Sequence, residues 1–245
     1  MPRTGSGDPA RTLALLWRQA EPEPRRGPRP RLSVDAVVAV AIAHADAEGL
    51  EAVTIRALAE RLGVSAMTIY TYLPGKAELL DLMVDAVYAA MPRAPWPRRQ
   101  RWRARVRAVA DANRALFDAH PWAARVSTAR PPLGPGLMEK YEHELGALDG
   151  LGLSDIEMDA ALTFMLGFVQ AAAVAAQDQA DAGSDEQWWE QAGPLLAKLV
   201  DPSRYPLASR VGTAAGAAQG GAYDAASAYR FGLERVLDGL AVLVA

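Results

Sequence analysis

Cysteine is absent from all 245 residues, which removes disulfide frameworks, thiolate zinc sites and cysteine nucleophiles together. Histidine is scarce: His44, His120 and His143 are scattered, without the spacing that would let two of them share a metal, so no metal site is expected. Strong charge of one sign is also missing, the formal net charge being −3. That argues against a protein coated in basic residues, but nucleic-acid binding needs only a local basic face. The chain lacks a Gly-rich phosphate loop after a strand, a GxSxG elbow and a paired-His zinc motif. No enzyme is therefore expected. The carboxylates Glu139, Glu142 and Glu144 read as the solvated face of a mixed-charge helix. No alternating β-type run is evident, the first residues show no apolar leader, and no charge-free run of about 18 apolar residues stands out. The expectation is a soluble cytoplasmic protein with no membrane segment.

With 51% hydrophobic residues, the chain can bury a full core in one large domain or two modest ones. Residues 1–31 are rich in Arg, Pro and Gly and read as a flexible tail, within which Arg11 to Arg18 has room for a turn or two of helix. A solvated tail and an arm touching a DNA backbone are both open. From Leu32 the pattern becomes helical. Val34, Val37, Val38, Ala41, Ile42 and Ala45 share a stripe, Ser33 is placed to cap, and Gly49 ends the segment. Short helices follow over 54–62 and 66–72, and a longer one runs from the Pro-Gly-Lys sequence at 74–76 toward Met91. Pro92, Pro95 and Pro97 then mark a boundary near residue 92. The fold class read from this is all-α: a smaller helical domain over 32–92 and a larger helical domain over 93–245.

Residues 54–72 contain the parts of a helix-turn-helix. Leu58 and Leu62 point inward on the first helix, Gly63 permits a left-handed turn, and Ser65 is placed to cap the second. Val64 and Ile69 pack back, leaving Ala66, Met67, Thr68, Tyr70, Thr71 and Tyr72 to divide between core and groove. Among residues 32–91 the only basic side chains are Arg56, Arg61 and Lys76, so affinity leans on few phosphate contacts. The arginines between Arg93 and Arg107 either supplement them or form a solvated face over Trp102 and Val106.

The whole run from Glu48 to Leu80, with Gly63, Ser65, the pair Tyr70 and Tyr72, and Lys76 in order, resembles the DNA-binding domain of the TetR (tetracycline repressor) family. The resemblance implies that Thr54 and Arg56 lie near DNA. It also implies that Ala66, Met67 and Thr68 meet bases or thymine methyls, that Tyr70 or Tyr72 meets a phosphate, and that Lys76 meets another. Ser65 and Thr71 complete the candidate DNA-binding set, with Tyr70 as a core residue still open.

The second half more loosely resembles the family's ligand-binding and dimerisation domain, through His-Pro-Trp at 120–122, Ser-Thr-Ala-Arg-Pro at 127–131 and the helix from Lys140. Asn113 falls on the apolar stripe between Val109 and Phe117, where an amide needs a backbone partner or a ligand. Asn113, Phe117, His120, Trp122, Tyr141, Phe164 and Phe168 are the candidate ligand-binding residues, each with a core role as the alternative. Two Ala- and Gly-rich segments, 155–180 and 222–244, form either an ordinary core or half of a four-helix bundle across a two-fold axis. The resemblance implies a homodimeric repressor on palindromic double-stranded operator DNA, released by a small hydrophobic or aromatic effector, with no other cofactor. Control by a protein partner, or no effector at all, is the alternative, and operator position decides between repression and activation.

Overall fold

A computed structural model describes residues 2–19, 32–97, 99–181 and 185–244. Among these residues the expected all-α class is borne out: there are helices and no strand, with one isolated parallel bridge between Arg3 and Ser127.

Four helices build the first half: α2 (Val34–Glu48), α3 (Ile55–Leu62), α4 (Ala66–Tyr70) and α5 (Lys76–Ala89). Three of them start on a hydroxyl cap. Ser33 Oγ accepts from the Ala36 amide at 3.1 Å, Thr54 Oγ1 from Ala57 at 3.1 Å and Ser65 Oγ from Thr68 at 3.2 Å, each satisfying a donor that the first helical turn leaves free. Gly63 sits in the left-handed region at φ 65°, which an L side chain adopts only at a cost, and it turns α3 into α4. Val37, Leu58, Ile69, Leu73 and Leu79 are almost wholly buried beneath these helices. We call this part the head.

The body comprises α6 (Trp102–Ala119), α7 (Pro121–Ala124), α8 (Pro135–Leu145), α9 (Asp155–Asp181), α10 (Asp185–Leu199), α11 (Pro206–Gln219) and α12 (Ala225–Ala241). Helix α9 packs on α6, α7 and α12, while α8 packs on α5. By length and composition α9 could cross a bilayer, its most apolar window having a mean hydropathy of 1.6; a charge-free stretch that the sequence reading passed over is in this helix. Its inner face, including Met165 and Val169, is buried against the neighbouring helices. One apolar cluster continues from head to body across residue 92, because α5 contributes to both.

The docking of α8 on α5 is unusually close. A Cβ at Gly136 would lie 2.1 Å from the Asp85 carbonyl oxygen, so only glycine permits the approach. Asp85 accepts from the Gly136 amide at 3.2 Å and the Leu137 amide at 2.8 Å, placing a carboxylate at the positive end of α8. Its pKa is nonetheless raised, because burial outweighs those two hydrogen bonds.

The reading of 1–31 as a flexible tail needs correction for residues 2–19; residues 20–31 lie outside the described residues. This segment is folded onto the junction of head and body. Thr4 is fully buried, its amide donating to the Ser127 carbonyl at 3.1 Å and its hydroxyl to the Arg130 carbonyl at 2.6 Å. The Gly5 amide donates to Asp81 on α5 at 2.8 Å. Helix α1 (Pro9–Leu16), capped by Asp8, then packs on α5 with Leu16 buried, and Trp17 Nε1 donates to the Leu133 carbonyl at 2.9 Å. The physical reason is local: the Leu-Ala-Leu-Leu-Trp run carries enough apolar surface to offset the ordering of a two-turn helix, a gain that the flanking Arg and Pro concealed.

Candidate nucleic-acid interface and effector cavity

Helix α4 is held from one side only. Ile69 is fully buried, whereas Met67 is 72% exposed and Tyr70 49% exposed. Tyr70 is thus a surface residue, which closes the core alternative left open above. Thr68 is half-buried and its hydroxyl is hydrogen-bonded to Ser65 Oγ at 2.9 Å, Thr71 is exposed, and Ala66 and Tyr72 pack partly against the core. Around this helix stand Thr54 at the N-cap of α3, Arg56 two residues later and Lys76 at the start of α5, all exposed. The Arg56 side chain is 89% exposed and its ion pair among the described residues is with Glu60, at 3.2 Å. A solvated i, i+4 pair of this kind is worth a few tenths of a kcal/mol, so Arg56 is free to exchange it for a phosphate. Of the ten candidate DNA-binding residues, Thr54, Arg56, Ser65, Met67, Tyr70, Thr71 and Lys76 are exposed, while Ala66, Thr68 and Tyr72 are partly buried.

Polar links join head to body. Asp46 on α2 accepts from Trp122 Nε1 at 2.7 Å and lies 2.9 Å from His120 Nδ1. Together with Asp85 at the foot of α8 and the folded 2–19 segment, this ties the orientation of α2 and α5 to the body.

Between α6, α8 and the segment after α5 lies a cavity of about 240 Å³. Its walls are largely apolar, from Met91, Ala94, Ala108, Val109 and Ala112. Trp96 and His143 form one side as a stacked pair, ring centroids 4.5 Å apart, with Trp96 Nε1 donating to the His143 carbonyl at 2.9 Å. The floor is polar and buried. Lys140 Nζ donates to Glu144 Oε2 at 2.7 Å, Glu144 Oε1 accepts from Asn113 Nδ2 at 2.5 Å, and the same amide also donates to the Val109 carbonyl. Lys140 further sits 5.1 Å from the centroid of Tyr88. Burial lowers the Lys140 pKa against the opposing pull of Glu144, and lowers that of His143; burial also pushes the Tyr88 hydroxyl up.

The seven candidate ligand-binding residues do not line this cavity. Asn113 comes nearest, reaching its floor through Glu144. Phe117 and Trp122 are core, His120 faces Asp46, and Phe168 stacks on Tyr229 at 5.7 Å. Tyr141 and Phe164 are on the surface, 37% and 63% exposed, with the Tyr141 hydroxyl on Asp159. Helical periodicity finds apolar stripes without saying which stripe faces a cavity, a core or a second subunit. The residues that reading missed are Lys140, His143, Glu144, Arg93 and Trp96. Glu144 was placed on a solvated face and is 3% exposed. One signal was available: Gly136, Lys140, Glu144 and Ala147 recur at four, four and three residues, a single helical face that begins on a glycine.

Known proteins match this arrangement along its length. The sequence model for bacterial regulatory proteins of the tetR family matches residues 37–83, and that for the tetracycline repressor-like C-terminal domain matches residues 94–244. The HTH-type transcriptional repressor DrrR1 of Streptomyces coeruleorubidus is 40% identical over 247 aligned positions, covering 99% of this chain and 89% of that protein. The class C tetracycline repressor protein of Escherichia coli is 28% identical, over 74% of this chain and 81% of its own. Among solved structures, ActR of Streptomyces coelicolor in complex with actinorhodin superimposes with a TM-score of 0.73 at 28% identity, covering 86% of this chain and 97% of that one. On the two family matches and the full-length relative, the chain belongs to the tetR family of bacterial regulatory proteins, as a transcriptional repressor with a tetracycline repressor-like C-terminal domain.

Proposed function

We propose that this repressor acts in the cytoplasm as a homodimer, each head (residues 32–92) reading half of a near-palindromic operator, and that a small aromatic effector in the body (93–245) releases it. The observation that carries the reading is the outward face of α4. Met67 and Tyr70 stand in solvent on a helix anchored by a buried Ile69, with Arg56 and Lys76 beside them to take phosphates. Ala66 and Met67 offer no side-chain hydrogen-bond donor, so they read thymine methyls or groove shape, while Thr68 and the caps position the helix.

The dimer is supported by a second exposed pattern. On α9, Ala160, Phe164, Gly167 and Ala171 form an exposed stripe, and on the adjoining α12 Ala228 and Phe231 are exposed, with Arg235 over the Phe231 ring. Phe164 and Phe231 are 63% and 66% exposed. Two phenylalanines among small residues suit close helix packing across a two-fold axis. Such a dimer would set its recognition helices about one DNA turn apart, roughly 34 Å. Effector and DNA would then favour different relative orientations of the heads, and each would weaken the other by the same factor. That ActR was crystallised with actinorhodin supports a small-molecule effector here.

Selection of bound duplexes from randomised DNA, followed by affinity across a salt series, tests the reading. An enriched palindrome is expected. For Arg56→Ala and Lys76→Ala together, the expectation is weaker binding and a salt slope shallower by about four counter-ions per dimer, two from each head. No enrichment, or variants binding as the parent does, would remove α4 and its neighbours as the operator reader.

A further inference from the structure

Helix α5 follows directly on α4 and is pinned at two levels. Toward the body, Asp85 accepts from the Gly136 and Leu137 amides at the start of α8. One turn closer to the DNA-facing end, Asp81 is fully buried and its Oδ1 accepts from the Gly5 amide at 2.8 Å. Three residues further, Glu78 lies so close to the N-terminal segment that a Cβ at Gly7 would come within 2.5 Å of its Oε1. The first pin belongs to α8, the second to residues 2–19.

That segment is itself anchored in the body. The Pro2 carbonyl accepts from the Ser127 amide at 2.9 Å, Thr4 donates to the Ser127 and Arg130 carbonyls, and Trp17 Nε1 donates to the Leu133 carbonyl. Between these anchors α1 packs on α5 with Leu16 buried, and just beyond them Arg18 pairs with Asp35 at the start of α2. Asp81 Oδ2 is buried with no partner, so the Gly5 amide is the hydrogen bond that this carboxylate makes among the described residues. Losing it would leave a second buried acceptor unmet.

The position of this second pin gives it leverage. Lys76 stands nine residues from Asp85 on α5, about 14 Å along the helix axis. A tilt of roughly 10° about Asp85 would move the DNA-facing end by about 2.4 Å. In a dimer the two heads would then separate or approach by up to about 5 Å, enough to cover the ~3.4 Å rise of one base pair, with the duplex taking up the accompanying turn in its own twist. Holding Asp81 and Glu78 resists that tilt. We propose that residues 2–19 are a strap that sets the separation of the two recognition helices, with Gly5 and Asp81 as its positioning pair, so that this segment determines which half-site spacing the repressor accepts. This rests on the reading of a dimer on a palindromic operator. It adds a specificity determinant that acts through α5 and not through a base contact.

The test uses the full chain and the palindrome selected from randomised duplexes, its half-sites then moved apart or together by one base pair. The parent is expected to bind the selected spacing at least about tenfold more tightly than either neighbour. Gly5 has φ 63°, and a Cβ there would lie 2.7 Å from Arg130 Cβ, so Gly5→Val unseats the first anchor. Leu16→Asp places a charge against α5 and unseats the second. In Gly5→Val/Leu16→Asp, trypsin should cut readily after Arg11, where the parent is cut slowly, and the spacing preference should fall by at least about threefold. Asp81→Asn keeps an oxygen for the Gly5 amide and should keep the parent's preference. Each preference is a ratio measured on one protein, so a variant that is partly unfolded loses affinity for all three duplexes alike and its ratio stands. An unchanged ratio in the released variant, whether or not affinity drops uniformly, overturns the strap and leaves the dimeric operator reader in place. If the parent enriches no palindrome, that reading fails and the strap falls with it.

Discussion

In the head, Ser33, Thr54 and Ser65 each reach three residues along the chain to satisfy a backbone amide. In the body, Glu144 is satisfied by Lys140 one turn away and by Asn113 31 residues away, inside the core. The first kind of polar group is solvated and local; the second is buried and depends on how helices pack. This difference separates the two jobs of the molecule. The α3–α4 part of the head, which must meet varied phosphates, keeps its charges in water and its polar bonds short-range, whereas Asp81 and Asp85 on α5 are buried and bonded far along the chain, as at the cavity floor. A body that must register a small molecule holds charge out of water, where one added or removed hydrogen bond has a large effect.

The contrast is sharpest at the ion pair. Lys140→Met alone strands Glu144 without its counter-ion at 3% exposure and is expected to lower stability by about 3–5 kcal/mol in urea unfolding at fixed chain concentration. The double change Lys140→Met/Glu144→Leu should return to within about 1 kcal/mol of the parent, because an apolar replacement of similar volume removes the desolvation cost as well. A single variant that loses less than about 1 kcal/mol would show that water reaches the floor, and the comparison would fail there.

The folded 2–19 segment sits between the two regimes, since its anchor is apolar but its partners are far along the chain. Leu16→Ala deletes a side chain that is 2% exposed against α5 and should cost roughly 2 kcal/mol, the lower end for a buried leucine because α1 lies at the edge of the core. Unchanged thermal unfolding would mean that α1 contributes little to holding head and body together. On the α4 side of the head the polar effect should be smaller. Ser65→Ala removes the α4 cap and is expected to cost about 1 kcal/mol. Ser65→Asp should recover most of that stability yet bind operator less well, since a carboxylate then faces the DNA backbone. Equal operator binding by the two would take Ser65 out of the DNA-facing set.

The same contrast explains how much the sequence disclosed. Caps at fixed spacing, Gly63 in its turn and the inward positions Leu58 and Ile69 are local patterns, and the head was legible from them almost residue by residue. That α9 and α12 carry apolar small-residue faces was legible too, but not that Phe164 lies on the outer one. The cavity floor was not legible, because Lys140 and Glu144 look like any solvated i, i+4 pair until α5 and α6 close over them. Residues 2–19 were misjudged for a related reason: low-complexity composition described their surroundings, while Thr4, Leu16 and Trp17 found partners at 127–133 and on α5 that no window on the sequence contains.

The smallest expected effect probes the cavity wall in solution. Burial holds the His143 pKa below its ordinary 6.5, only partly opposed by Glu144 and reinforced by Arg93. With the folded-state pKa below the unfolded one, the unfolded chain binds the proton first as pH falls through 6.5, so stability drops with acidification across that window. His143→Phe keeps a ring against Trp96 and removes the titration. Melting curves of the two proteins from pH 7.5 to pH 5.5 should therefore diverge, the parent losing slightly more on the acid side. Parallel curves would mean that His143 is effectively in water, and that the stacked pair is part of the outer surface and not of the cavity.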